Sequence, residues 1–199
     1  MIDQPFPTLS PSPRTTLSAR LTSAEAHGAR QELARLGMGL GFAALYGLAL
    51  GARTGGMSLV RHALGASAGL SAVGVLGIPS LFVLLALVNA PVSPGAMLSA
   101  GARALASAGF VLAGLAPSAA LLAVTIESPS VAAFISRAGL TLAGGIGLYQ
   151  LVRSVRALLR DLPAGLRLKC NVLLLGFCVF SSLLAARVWY TLPIISGAV

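Results

Sequence analysis

Between Leu36 and Pro193 the chain is a succession of apolar stretches cut at intervals by arginines, and few of those stretches hold a carboxylate or a histidine. A domain surrounded by water cannot be built from this pattern. With 56% hydrophobic and 10% charged residues, and a mean hydropathy of +0.89, a soluble fold of 199 residues would expose far too much apolar surface. The medium is lipid. Each crossing helix needs about 20 apolar residues to cover roughly 30 Å of hydrocarbon, so the length supplies one membrane domain of about four to six helices and no second folded domain.

The expected fold is all-α: a polytopic transmembrane helix bundle of about five spans, preceded by a short cytoplasmic amphipathic helix. Residues 1–21 read as a disordered polar tail, with Pro5, Pro7, Pro11 and Pro13 and no apolar core of a secretory signal. Residues 22–35 read as a surface helix, opened by Thr22 and Glu25 in the spacing of a capping box. The transmembrane domain is 36–199, with spans at about 36–52, 66–90, 104–126, 131–152 and 171–190. Gly55-Gly56, Pro91 with Pro94, and Glu127-Ser128-Pro129-Ser130 mark turns between them. Arg153 to Lys169 reads as a basic amphipathic connector, and Trp189 and Tyr190 sit where an aromatic belt is expected.

The formal net charge is +9, from 14 basic residues against Asp3, Glu25, Glu32, Glu127 and Asp161. Nucleic acid is not the implied partner, because phosphate binding needs a clustered basic face in water and these arginines lie at the ends of apolar runs. Anionic lipid headgroups are. In a five-span arrangement Arg14, Arg20, Arg30, Arg35, Arg103, Arg153, Arg156, Arg160, Arg167 and Lys169 fall on one side, and Arg53, Arg61, Arg137 and Arg187 on the other. The imbalance puts the amino terminus in the cytoplasm. The bias toward Ala, Leu, Gly and Arg points to a GC-rich bacterial genome and so to a bacterial inner membrane.

Small-xxx-small spacing marks Gly37 with Gly41, Gly47 with Gly51, and Gly65 with Gly69 as helix-packing candidates, serving either the interior of the bundle or contact with a partner membrane protein or a second copy. Pro79 and Pro117 fall near mid-span, where two kinks either improve packing or frame a path for a small solute. Arg137 and Arg187 are the intramembrane charge candidates: anion ligands or, for Arg137, a partner of Glu127 on one reading, snorkelling side chains on the other. Arg153, Arg156, Arg160, Arg167 and Lys169 are the anionic-lipid candidates.

No catalytic, cofactor-binding or metal-binding set is expected. His27 and His62 lie on opposite sides of the membrane, no nucleotide-binding or hydrolase motif is present, and Ser67, Ser71, Ser107 and Ser118 have no base at their depth. Cys170 and Cys178, eight apart on one helix and so about 12 Å apart, cannot bond to each other.

In layout, with loose support from Tyr46-Gly47-Leu48-Ala49-Leu50-Gly51 and Ala186-Arg187-Val188-Trp189, the chain resembles the Yip1 superfamily and bacterial multi-pass inner-membrane proteins of the same plan. That resemblance implies a non-enzymatic membrane scaffold, adaptor or subunit of a membrane complex. A small-solute channel or transporter component is the alternative.

Overall fold

The structure, a computed structural model, describes residues 13–52, 55–126 and 128–191. These form five helices: α1 (Pro13–Gly51), α2 (Met57–Leu87), α3 (Pro94–Thr125), α4 (Pro129–Leu158) and α5 (Ala164–Thr191). Short connections make successive helices antiparallel. No strand occurs among the described residues, and the all-α bundle stands.

The helix ends follow local chemistry. Ser93 caps α3, its hydroxyl accepting from the Ala96 amide at 3.3 Å, and Pro94 occupies the first turn where a missing N–H costs nothing. α2 ends in a Schellman arrangement: Asn89 takes φ 56°, its amide donates to the Ala86 carbonyl, and Ala90 donates to Leu85. Gly55 and Gly56 both have positive φ, as a tight turn between α1 and α2 requires.

Several expected boundaries move outward. The surface helix over 22–35 and the first span are one helix, which begins at Pro13 and therefore also takes in part of the expected tail. Nothing at Arg35 stops it: Arg35 Nη1 and Glu32 Oε1 pair at 2.8 Å one turn apart, and the neighbouring Ala, Leu and Gln favour helix. α2, α3 and α5 start at residues 57, 94 and 164 rather than 66, 104 and 171. Hydropathy marks where hydrocarbon begins, whereas a helix continues until a residue breaks it. The expected basic connector is not a separate helix. Arg153 and Arg156 belong to the end of α4, Arg160 to the turn, and Arg167 and Lys169 to the start of α5, because Asp161-Leu162-Pro163 interrupts the helical hydrogen bonding. The capping-box side chains, Arg53, Glu127 and the side chains of Trp189 and Tyr190 lie outside the described residues.

Around the bundle, α1 packs against α3 and α2, α3 against α4, and α2 against α5; α4 and α5, though joined by a short turn, touch less than any other two consecutive helices. One core joins Leu81 and Leu85 of α2, Met97 of α3, Val155 of α4 and Leu174 and Phe177 of α5. A second joins Ala43 and Tyr46 of α1 with Leu112 of α3 and Leu140 of α4. Where α1 crosses α3 and α2, backbone meets backbone. A Cβ on Gly39 would lie 2.9 Å from the Leu105 carbonyl oxygen, one on Gly109 would run into the Gly39 carbonyl, and one on Gly51 would lie 2.8 Å from the Leu59 Cα. Such approaches replace the hydrophobic drive that lipid cannot supply.

The outward faces are apolar on every helix: Met38, Val75, Leu121, Phe134 and Leu175 are 54%, 70%, 70%, 70% and 68% exposed. Among the described residues, four segments are long and apolar enough to cross a membrane: Arg30–Gly51, Met57–Leu87, Pro94–Thr125 and Ala164–Arg187. α4, expected as a span over 131–152, has 30 residues, enough length to cross. The protein is a multi-pass helical membrane protein.

Candidate functional site

Small residues on α2 and α3 leave space that larger ones elsewhere fill. α4 and α5 are held together near their shared turn by Leu151, Val155 and Leu159 against Cys170, Leu174 and Phe177. Beyond that plug they leave a cavity of about 320 Å³ between α2, α3, α4 and α5. Its floor is Gly69, Gly74 and Gly77 of α2 with Gly101, Ala104 and Ala108 of α3; its walls run along Leu140 to Leu151 of α4 and Phe177 to Ala186 of α5. The volume lies at the lower end of the roughly 300–1,000 Å³ typical of small-molecule sites.

The chemistry available inside is limited to contact and a few hydroxyls. No charged residue or histidine lines the cavity. The Thr141 hydroxyl donates to the Arg137 carbonyl and the Ser182 hydroxyl to the Cys178 carbonyl, both at 2.8 Å, which leaves each turned onto its own helix. Ser181, 8% exposed, also lines the cavity, and among the described residues its hydroxyl has no hydrogen-bond partner. Among the described residues no three His, Cys, Asp or Glu side chains cluster as a metal site would require.

The sequence candidates divide by the direction they face. Gly47 and Gly51 are buried against α2, and Gly65 and Gly69 are buried on α2 itself, so these serve the interior. Gly37 and Gly41 are exposed, with open space where a Cβ would stand. Pro79 and Pro117 are exposed as well and do not line the cavity; a solute path framed by these two residues is not formed by their side chains.

Arg137 and Arg187 are exposed at the end of α4 and α5 away from the shared turn. Arg137 stands one turn before Thr141 on the same face, and Arg187 directly follows Ala186, so both flank the open end of the cavity. The anionic-lipid candidates gather at the opposite end. Arg167 is engaged there: its guanidinium donates to the Arg160 carbonyl at 2.6 Å and the Leu162 carbonyl at 3.0 Å, covering backbone acceptors in the turn. Arg153 meets Arg103 across a hollow of about 240 Å³ that Gln150 and Ser154 also line. Sequence reasoning missed Arg103 as a partner of Arg153 because the two are brought together only by the α3–α4 pairing. It missed the cavity for the same reason, since four helices contribute to it. Cys170 is buried in the core and Cys178 half-buried, both as free thiols.

No family model, curated protein or solved structure matches this chain.

Proposed function

We propose that the protein is a non-enzymatic scaffold or adaptor of a membrane protein complex, docking a transmembrane helix of a partner protein on the outer face of α1. The observation that carries this reading is the contrast among the glycines of one helix. Gly39, Gly47 and Gly51 are consumed by contacts with α3 and α2, whereas Gly37 and Gly41 form an open small-xxx-small groove, bordered by exposed Met38 and Leu45. A groove of this kind lets a second helix approach closely enough for packing to hold it.

Purification in mild detergent with mass-spectrometric identification is expected to recover a stoichiometric membrane partner. Gly37→Ile with Gly41→Ile is expected to weaken recovery about five- to thirtyfold, the weight of roughly 1–2 kcal/mol of helix–helix interaction. The bundle itself should be unchanged, because nothing lies within 4 Å of either position. A partner retained in full by the double variant would exclude the α1 groove.

We place the protein in a bacterial inner membrane with its amino terminus in the cytoplasm. Arg103, Arg153, Arg156, Arg160, Arg167 and Lys169 lie toward the end of the bundle that also carries Arg30 and Arg35, and the positive-inside rule assigns that end to the cytoplasm. The exposed turn at Asp161 provides the check. A cysteine at that position, Asp161→Cys, should react with an impermeant maleimide in inverted vesicles and stay unlabelled in intact spheroplasts; the reverse pattern would invert the topology.

A further inference from the structure

We infer that the cavity between α2, α3, α4 and α5 binds an acyl chain carrying an anionic headgroup, with the chain against the glycine floor and the headgroup between Arg137 and Arg187. Water is a poor occupant. A buried water needs about two to four polar partners, and this lining is overwhelmingly apolar. An empty void is unfavourable for a different reason: the lining atoms lose dispersion contacts that a hydrocarbon would restore. An engineered apolar cavity of ~150 Å³ is enough to take up benzene, and this one is about 320 Å³.

Hydrophobicity alone gives a lipid tail no reason to leave the bilayer for the cavity, since both are apolar. Selectivity therefore has to come from the mouth. The plug around Leu151, Leu174 and Phe177 closes the end near the α4–α5 turn, so a chain can lie only with its head toward the opposite end. There α4 and α5 each carry one exposed arginine, Arg137 and Arg187. Ser181, a residue 8% exposed that lines the cavity, carries a hydroxyl able to donate to an ester carbonyl or carboxylate oxygen. This site does not rest on the α1 groove, because α1 contributes no residue to the cavity.

The test is photocrosslinking of the full chain in nanodiscs with three probes sharing one mid-chain diazirine: phosphatidylglycerol, phosphatidylcholine and the free fatty acid. Peptide mapping is expected to concentrate phosphatidylglycerol labels on the segments Leu140–Leu151 and Phe177–Ala186, above the exposed faces around Val75 and Leu121. Stronger cavity labelling by the fatty acid would assign the same chemistry to a free acid rather than a bilayer lipid. Gly145→Phe places a ring midway along the α4 wall, where a Cβ meets nothing within 4 Å, and it should remove cavity labels while sparing the outer faces. Ser181→Leu, an independent blocker from the other wall, should do the same. Arg137→Gln and Arg187→Gln should each lower the preference for phosphatidylglycerol over phosphatidylcholine about fivefold, the weight of one basic side chain at a membrane surface. Cavity labels no denser than those of the outer faces, or unchanged in both blocking variants, would overturn the site. A headgroup preference that follows Arg103→Gln with Arg153→Gln instead would overturn the assigned orientation.

Discussion

Gly109→Leu is expected to prevent the bundle from assembling, seen as loss of a monodisperse species and of any cooperative thermal transition in detergent. A Cβ at this position would collide with the Gly39 carbonyl and lie 2.7 Å from the Gly39 Cα, and both atoms are backbone. Overpacking usually costs about 1–3 kcal/mol because side chains can turn aside. Here only a separation of α1 from α3 gives relief, and that separation would also open the neighbouring contact of Gly39 with Leu105 and the Phe42–Phe110 edge contact at 6.2 Å. Gly101→Ala offers a graded comparison. Its new Cβ would meet the Ile78 side chain, which borders the cavity and has room to move, so the loss should stay within that ordinary range. Gly37→Ala and Gly41→Ala complete the series: with open space around them they should leave the transition unchanged or slightly raised, because alanine favours helix over glycine by about 1 kcal/mol. Equal melting of wild type and Gly109→Leu would contradict the close α1–α3 crossing.

This series also shows where a sequence stops speaking. That Leu36 to Ala52 is an apolar helix follows from its composition, and that its glycines permit close approach follows from their size. Which pair looks inward does not. Gly37 with Gly41 and Gly47 with Gly51 have the same spacing, yet ten residues of α-helix turn one pair about 80° from the other. Only the positions of α2 and α3 decide which face is filled. Turns were legible where a residue enforces them, as at Gly55-Gly56 and at Pro91 with Pro94. They were illegible where charge merely interrupted hydropathy, so the arginines between residues 153 and 169 suggested one basic amphipathic connector, although residues 159–163 hold the actual turn. The cavity lies further out of reach. Gly74, Gly101, Gly147 and Ser181 are unremarkable in their own helices and become a wall and floor only when four helices stand around them.

Tyr46→Ala is expected to lower stability by about 3–5 kcal/mol, the cost of emptying a large buried aromatic site. Tyr46 is 1% exposed, and from α1 it reaches across to α4, where its hydroxyl donates to the Ser136 carbonyl at 3.3 Å. α4 otherwise packs mainly on α3, so this side chain fixes the rotation of α4, and with it the wall of the cavity. Tyr46→Phe keeps the ring and loses one hydrogen bond, for an expected loss of about 0.5–1 kcal/mol. The decisive measurement is a double-mutant cycle with Gly139. A Cβ on Gly139 would strike the Tyr46 hydroxyl and lie 2.8 Å from its Cζ, so Gly139→Ala in the wild-type background should be strongly destabilising. Removing the hydroxyl relieves the worst of that clash, and Tyr46→Phe should therefore rescue part of the Gly139→Ala loss instead of adding to it. Chemical denaturation in detergent reads all four corners of the cycle. Strict additivity would mean that the ring does not lie over Gly139, and the α1–α4 contact that holds the cavity wall would have to be withdrawn.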